Sequence, residues 1–166
     1  SGEVSDGLII TSSSSISPAF IKHAVSLVEE GAAKMERSSE DVDIMTYPVV
    51  SISKDGQKAR QSVKSLVATR MAREHMGAFL GKSGIDVERV RMINEMVESG
   101  NMEEAQRQIT DSDVQNFAIA GDPQECVAGF RHLVGIGVKS VCPMLFGGPD
   151  PEEAIRLFAR EVVPHL

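Results

Sequence analysis

The stretch that decides the fold runs from residue 117 to residue 151 and reads FAIAGDPQECVAGFRHLVGIGVKSVCPMLFGGPDP. Asp122 and Pro123 have the chemistry of a helix cap and of a first-turn residue. Gly135 and Gly137 are expected to end this helix. Apolar residues between these signals recur at spacings of three and four, which predicts one buried helix face made of Cys126, Val127, Phe130, Leu133 and Val134.

The same stretch continues with a predicted strand and a last helix. Residues 138–145 are mostly apolar and have the length of a buried strand. Asp150 and Pro151 predict the start of the helix. Its inner face is expected to contain Ala154, Ile155, Phe158 and Val162. The order helix, strand, helix is typical of a parallel sheet, so the loop at 146–149 is expected at the carboxyl edge, where such folds bind ligands.

The amino-terminal part of the chain predicts two further strands with a helix between them. Residues 8–11 form the first strand, and Ser17 and Pro18 mark the start of the helix. The inner face of this helix, up to its expected end near Lys34, contains Phe20, Ile21, Ala24, Val25, Leu27, Val28 and Ala32. Residues 44–52 form the second strand, in which Pro48 predicts a bulge or an edge position because it has no amide donor.

Between the second strand and the opening stretch, the pattern is helical. Residues 55–80 predict one helix, and residues 87–97 and 103–109 predict two shorter ones, before a cap at 110–113. The first helix is expected to turn Ala59, Val63, Leu66 and Val67 inward. The segment 77–83 is not a phosphate-binding P-loop, since only three residues separate its glycines and it follows a helix. Basic residues are expected on a solvated face: Lys54, Lys58, Arg60, Lys64, Arg70 and Arg73.

Length and composition predict a single domain that spans residues 1–166. The chain is 42% apolar, which suffices for one hydrophobic core. A net charge of -7 argues against nucleic acid or an anionic membrane as a partner, because phosphate binding needs clustered Lys and Arg. No apolar run reaches the ~18 residues of a membrane span. Cys126 and Cys142 are both expected in the core, which fits a reducing compartment and predicts a cytoplasmic location.

The loop after the first strand is the best candidate for a binding site. Thr11, Ser12 and Ser13 leave the carboxyl end of a strand and lead to the amino end of a helix. Hydroxyls, free amides and the helix dipole suit a phosphate or carboxylate there, although a polar connecting loop explains the same residues equally well. A metal site is not expected, because the histidines have no partners at ligand spacing: His23, His75, His132 and His165.

Several segments, taken together and in order, resemble the bacterial-luciferase-like family, in particular its archaeal coenzyme F420-dependent methylenetetrahydromethanopterin reductases. These segments are 2–10 (GEVSDGLII), Pro18 with its helix and the Gly-Ala pair at 31–32, 117–123 (FAIAGDP), 135–138 (GIGV) and 157–164 (LFAREVVP). The resemblance covers essentially the whole chain. It implies a (β/α)8 TIM barrel that binds its cofactor at the carboxyl ends of the strands.

Such a barrel needs ~250 residues, so the resemblance identifies this chain as the carboxyl-terminal part of one. The expected architecture is one partial-barrel domain over 1–166, with about three parallel strands and a helical insertion at 55–116. The chain is therefore expected to begin inside a longer protein. Uncovered strand edges predict that it forms a homo-oligomer or binds the absent half.

The resemblance also implies hydride transfer between reduced coenzyme F420 and methylenetetrahydromethanopterin or a related pterin, with FMN as the alternative cofactor. In the family, the amino-terminal half carries most contacts to the deazaflavin ring, so no catalytic residue is carried over to this chain. Only Thr11, Ser12 and Ser13 are expected to contact the cofactor or a substrate. Two alternatives stay open: a non-catalytic assembly or flavin-binding module, and a flavin-dependent monooxygenase of the same family.

Overall fold

The computed structural model describes residues 1–11, 15–72, 86–146 and 148–166. Its strands are β1 (Gly7–Ile10), β2 (Asp43–Thr46), β3 (Val49–Ile52), β4 (Ala118–Gly121), β5 (Ser140–Val141) and β6 (Met144–Leu145). Its α-helices are α1 (Pro18–Lys34), α2 (Gly56–Met71), α3 (Val87–Glu98), α4 (Met102–Arg107), α5 (Asp111–Phe117), α6 (Pro123–Gly135) and α7 (Pro151–Leu157). No helix in these described ranges has the length and apolar character needed to cross a membrane.

All strand pairs are parallel, and the central strand consists of β2 and β3, joined by Tyr47 and Pro48. β5 and β6 pair along one edge of this central strand. On its other edge lie β1 and β4, because the amides of Tyr47 and Ser53 donate to the carbonyls of Ile10 and Gly121. The sheet therefore has three strands side by side, as predicted, while β4 continues the edge beyond the end of β1. β4 itself was not predicted as a strand.

The prediction that Pro48 marks a bulge or an edge is wrong. Thr46 pairs with Val141 and Val49 pairs with Met144, so the register advances by three residues in both strands across the proline. The Pro48 carbonyl still accepts a hydrogen bond of 2.9 Å from the Met144 amide. A proline removes only a donor, and one lost bond is compatible with a central strand when the acceptor is used.

The predicted strand at 138–145 forms two short strands instead of one. β5 and β6 are separated by Cys142 and Pro143, which lie beside the gap between β2 and β3. The Cys142 amide nevertheless donates to the Thr46 carbonyl at 2.9 Å. Both interruptions therefore occur at the same level of the sheet, where prolines in neighbouring strands lack amide donors.

Helix starts follow the predicted caps. The Ser17 hydroxyl accepts from the Phe20 amide, and Asp122 and Asp150 accept amide hydrogens in the first turns of α6 and α7. The helix predicted at 55–80 is observed as α2 over Gly56–Met71, and its predicted part at 73–80 lies outside the described residues. The segment 77–83, interpreted above as no P-loop, lies outside the described residues.

Two hydrophobic clusters hold the structure together. The first lies between one face of the sheet and helices α1, α6 and α7, and includes Ile21, Ile44, Val50, Phe130 and Leu157. The second lies among α2 to α5 and the β3–β4 pair, and includes Val63, Met71, Ile93, Ile109 and Phe117. The helices between β3 and β4 thus bury apolar surface mainly against one another and against the β3–β4 end of the sheet.

Three residues predicted to point inward are exposed. The exposed fractions are 53% for Leu27, 60% for Val134 and 57% for Ile155. Leu27 and Val134 flank the outer strands, where no further strand of the described chain covers them. Periodicity alone places them on the inner stripe, but the sheet ends before it reaches them.

The predicted solvated face of basic residues is also partly wrong. Arg70 is only 5% exposed, and its guanidinium donates to the Phe117 carbonyl at 3.3 Å. Lys64 donates to the Ile109 carbonyl at 2.7 Å. These long side chains satisfy carbonyls at the ends of neighbouring helices and connect α2 to α4 and α5. Lys54 and Lys58 are solvated as predicted, and Arg73 lies outside the described residues.

Candidate functional site

The second face of the sheet is open along β1, β2 and the β5–β6 strand. Successive side chains of a strand point to opposite faces, so the face opposite the first hydrophobic cluster carries Ile9, Met45, Tyr47, Cys142 and Met144. Ile9 is 58% exposed and Met144 is 39% exposed. Parallel sheets are usually buried on both faces, so this face is the most unusual surface of the described structure.

The helices between β3 and β4 cover this face where it is formed by β3. Val49 belongs to their hydrophobic cluster. The Ser51 hydroxyl lies 3.0 Å from the Ala59 carbonyl and 2.9 Å from the Ser62 hydroxyl, both on α2. The open area is thereby bounded by α2 at the carboxyl end of the strands. Phe146, the residue after β6, is 45% exposed.

Thr11 lies at the carboxyl end of β1 and is exposed. Ser12 and Ser13, the other two predicted site residues, lie outside the described residues. Beyond them the loop is fixed to the end of α5, because the Ile16 amide and the Ser15 hydroxyl both donate to the Asn116 carbonyl at 2.8 Å. Ser15 also accepts from the amide of Ser17. The structure thus holds both ends of the predicted loop between the carboxyl end of β1 and the start of β4, beside the junction of β2 and β3.

A second polar cluster lies where α2 and α6 begin. The Glu125 carboxylate accepts from Arg60 Nη1 at 2.9 Å and from the Asp122 amide at 2.8 Å. Gly56 and Gly121 line this contact, and a Cβ atom on either would lie 2.4 Å from Glu125 Oε2. The amino end of α6 is therefore filled by a carboxylate of its own helix.

The amino end of α1 differs from those of α2, α6 and α7 because no cap carboxylate lies there. The cap residues Asp55, Asp122 and Asp150 bring a carboxylate to the amino ends of α2, α6 and α7. α1 is capped by Ser17 and has no acidic residue in its first turn. A bound anion near Thr11 would therefore meet the positive end of α1 without a carboxylate from its cap or first turn.

The two cysteines have different environments. Cys126 is fully buried, as predicted, and burial together with the nearby carboxylates of Asp122 and Glu125 raises its pKa to about 12. Cys142 is exposed on the open face, so its predicted core position is wrong. The run at 138–145 has apolar residues on both faces, and sequence alone does not show that only one of these faces is covered.

Sequence reasoning also missed Tyr47 and Met144 as site residues. Both belong to the predicted strands 44–52 and 138–145, which were interpreted as core, whereas Phe146 was part of the loop expected at the carboxyl edge. The available signal was the alternation within 44–52 and 138–145, which separates two faces but does not identify the open one.

A parallel sheet with helices on one face, polar loops at its carboxyl edge and an open second face defines a partial (β/α) barrel. The chain belongs to the luciferase-like monooxygenase family, whose family model matches residues 1–140. This finding confirms the resemblance and the partial-barrel architecture that it implied.

The most similar proteins include two archaeal reductases. The chain is 34% identical to the 5,10-methylenetetrahydromethanopterin reductase of Methanopyrus kandleri over 99% of this chain and 46% of that protein. It is 32% identical to the enzyme of the same name from Methanolobus tindarius over 98% of this chain and 49% of that protein. The chain thus spans about half the length of the curated relatives it matches.

Solved structures agree with this assignment. The coenzyme F420-dependent tetrahydromethanopterin reductase from Methanopyrus kandleri has a TM-score of 0.86 and 33% identity, over 99% of this chain and 46% of that chain. An F420-dependent secondary alcohol dehydrogenase has a TM-score of 0.64 at 18% identity, over 99% of this chain and 44% of that chain, and shares the fold.

Proposed function

We propose that this chain forms part of a coenzyme F420-dependent reductase that transfers hydride between the reduced deazaflavin and methylenetetrahydromethanopterin or a related pterin. The observation that carries the proposal is the match to the Methanopyrus kandleri reductase, at 34% identity over 99% of this chain. The same half of the fold is retained at a TM-score of 0.86. The remaining half of the relatives' length would complete the site.

The residues at the carboxyl end of β1 and on the adjoining open face fit such a cofactor. Thr11, with Ser12 and Ser13, would hold an anionic group at the amino end of α1, where the cap and first turn carry no carboxylate. Met144 and Phe146 offer exposed apolar surface for a flat ring on the adjoining face. When bound, the deazaflavin supplies the hydride chemistry, and these side chains orient it and exclude water.

A spectroscopic titration with reduced coenzyme F420, followed by addition of methylenetetrahydromethanopterin, tests this proposal. The protein used is this chain completed by the half of the relatives' length that it does not span. Saturable binding of F420 is expected, followed by oxidation of the deazaflavin when the pterin is added. Binding without hydride transfer would favour the non-catalytic module, and binding of FMN in place of F420 would favour the monooxygenase.

The contribution of the loop is tested by Thr11→Val, with Thr69→Val as the matched control. The Thr69 hydroxyl donates to the Ser65 carbonyl within α2, away from the carboxyl edge. Loss of one hydrogen bond to a charged group should weaken F420 binding by about tenfold in Thr11→Val. Equal F420 affinities of the two variants would show that the Thr11 hydroxyl does not contribute to cofactor binding.

Three further predictions belong to the same proposal. The helical segment at 55–116 is an insertion in the barrel, which is supported by its separate hydrophobic cluster. The protein acts in the cytoplasm, and its working form is a homo-oligomer. Light scattering on the protein completed by the other half of the barrel tests the homo-oligomer. A molar mass equal to that of a single completed barrel would contradict it.

A further inference from the structure

Strand β4 is paired along one edge in the described part of the chain. Its hydrogen-bonded neighbour is β3, and the Ser53 amide donates to the Gly121 carbonyl across this pair. In a parallel ladder the amide and the carbonyl of one residue point to the same neighbouring strand, and those of the next residue point the other way. Ile119 and Gly121 therefore bond to β3, whereas Ala118 and Ala120 direct their backbone groups to the unpaired edge.

Three backbone groups on this edge have no partner among the described residues. The Ala118 amide is used, because it donates to the Val114 carbonyl of α5. The Ala118 carbonyl and both the amide and the carbonyl of Ala120 remain. Ala118 is 4% exposed, so water has little access to its carbonyl. A shielded backbone group without a hydrogen bond is unfavourable, which favours a ligand that pairs with this edge.

A cavity of about 400 Å³ lies against the unpaired edge of β4. Ile16 and Pro18 at the start of α1 border it, together with Ala128 and Gly129 of α6. Small-molecule sites in proteins have volumes of roughly 300–1,000 Å³ and are lined mainly by apolar residues with a few polar groups. The size and the lining of this cavity are therefore those of a small-molecule site.

A ligand that bonds to this edge lies in the plane of the sheet, between two layers of helices. Ile119 belongs to the first hydrophobic cluster, which includes residues of α6, and Ala118 belongs to the second, which includes residues of α2 to α5. α6 packs directly on the strand, because a Cβ atom on Gly129 would lie 3.0 Å from Ile119. The space beside β4 thus has the thickness of one sheet layer, which fits a planar ring in the position of a neighbouring strand.

The start of α1 limits the length of any strand added at this edge. The Ile16 amide donates to the Asn116 carbonyl at 2.8 Å, two residues before β4 begins. A peptide would therefore find the three free groups of Ala118 and Ala120, and its ladder would end at α5. Strand addition depends on a longer row of main-chain hydrogen bonds, so a compact ligand fits this edge better than a peptide does.

The charges beside the cavity favour a neutral ligand. Arg60 lines the cavity and lies 2.9 Å from Glu125 Oε1 and 3.8 Å from Asp111 Oδ2. Its positive charge is therefore compensated and is not available to a phosphate or carboxylate. Gln115 and Asn116 also line the cavity and bring carboxamides, which hydrogen-bond without a charge.

We propose that this cavity binds an adenine-type base, that is, a planar nitrogen heterocycle with an N–H donor beside a ring-nitrogen acceptor. The Ala118 carbonyl accepts from the exocyclic N–H, and the Ala120 amide donates to the neighbouring ring nitrogen. In a parallel ladder such a carbonyl and amide bond the N–H and the C=O of a single residue, which lie side by side as the two groups of the base do. Thr11, Met144 and Phe146 do not line the cavity, so the inference goes beyond the proposed function and is independent of it.

The test is an amide NMR titration with adenine, on the same completed protein as in the F420 titration but without cofactor. The Ala120 amide signal should shift saturably, with a Kd of about 0.1–1 mM for so small a ligand, and its hydrogen exchange should slow. The comparison ligand is 6-dimethylaminopurine, which lacks the N–H donor. It should bind at least about fivefold more weakly, because it leaves the Ala118 carbonyl unpaired.

Ala128→Leu tests the position of the ligand, since Ala128 is an exposed residue of α6 that lines the cavity. The larger side chain fills part of the cavity and should weaken adenine binding by at least about tenfold. Ala33→Leu is the matched control, because Ala33 is exposed near the end of α1 and does not line the cavity. It should change the adenine affinity by less than about twofold.

Thermal unfolding of both variants first establishes that they are folded like the unsubstituted protein. The proposal is overturned by the absence of saturable adenine binding, by equal affinities for adenine and 6-dimethylaminopurine, or by equal effects of the two leucine substitutions. It is also overturned if Thr11→Val weakens adenine binding and Ala128→Leu does not, since adenine would then occupy the proposed cofactor site. Hydride transfer is not part of the readout, so failure here is distinct from failure of the proposed reaction.

Discussion

Arg89 of α3 and Asp113 of α5 form a two-armed ion pair, with Nη1 to Oδ2 at 2.8 Å and Nη2 to Oδ1 at 2.6 Å. Asp113 is only 2% exposed and also accepts from the amide and hydroxyl of Thr110, at 2.8 and 2.7 Å. Arg89 donates in addition to the Gln108 carbonyl at 3.0 Å. The pair therefore joins three helices of the segment between β3 and β4 and completes the cap of α5.

We expect Asp113→Ala to destabilise the chain by about 3 kcal/mol, because it leaves a partly buried guanidinium without its carboxylate. Urea unfolding followed by circular dichroism measures this change. Glu103→Ala is the control, since Glu103 pairs with Arg107 on an exposed face where both side chains are mostly solvated. Its unfolding midpoint should match that of the wild type. Equal effects of the two substitutions would show that the Arg89–Asp113 pair does not stabilise the fold.

The same carboxylate predicts a dependence of stability on pH. Burial raises the pKa of Asp113, but hydrogen bonds from Arg89 and Thr110 outweigh it and hold the pKa below the ordinary value of 3.8. The folded state therefore releases this proton more readily than the unfolded state does. The resulting stabilisation is fully present at pH values above 3.8, and it is lost as the pH falls through the lower pKa of the folded state.

The difference in unfolding free energy between the wild type and Asp113→Asn measures this effect. It should be constant at neutral and mildly acidic pH and should shrink below the ordinary aspartate pKa. A difference that stays constant down to the acid-unfolding limit would contradict the assigned pKa direction.

The cysteines should differ in reactivity. Cys142 is exposed, whereas Cys126 is buried with its pKa raised to about 12 by burial and by the carboxylates of Asp122 and Glu125. Only the thiolate reacts, so one thiol should be modified by a maleimide in the native chain and the second only in denaturant. Cys142→Ser should abolish the native reaction. Rapid native modification of that variant would place Cys126 at an accessible position.

Cys142 also illustrates a feature that the local sequence does not determine, namely which face of a strand is covered. Helix starts were predictable because Ser17, Asp122 and Asp150 satisfy backbone donors within their own first turns, which is a local effect. Which face of a strand is covered is decided by elements far away in the sequence. Cys142 and Cys126 both lie in apolar runs, yet only Cys126 meets a covered face.

The candidate site was predictable to a similar extent. Thr11 lies at the carboxyl end of β1 as expected, because a loop that follows a strand has no other position available. Tyr47 and Met144 join the site only through the pairing of β2–β3 with β5–β6, which connects residues almost one hundred positions apart. Pro48 was misread for the same reason, since its compatibility with a central strand depends on the amide of Met144.

The close contact between Gly121 and Glu125 leads to the last prediction. A Cβ atom at position 121 would lie 2.4 Å from Glu125 Oε2 and 2.7 Å from Glu125 Cβ. Gly121→Ala therefore displaces the carboxylate that accepts from Arg60 and from the Asp122 amide. We expect a destabilisation of about 1–3 kcal/mol from this crowding. It should separate the start of α6 from α2 at the carboxyl edge of the sheet.

Gly135→Ala is the matched control, because position 135 is the last residue of α6 and an added methyl group there would meet no described atom within 4 Å beyond its own helix and chain neighbours. Alanine there should be neutral or stabilising by up to about 1 kcal/mol, since it restricts the unfolded chain without crowding the folded one. Urea unfolding of both variants gives the comparison. If Gly121→Ala proved as stable as Gly135→Ala, Glu125 would have to move without loss, and its bonds to Arg60 and Asp122 would contribute nothing to holding the two helix starts together.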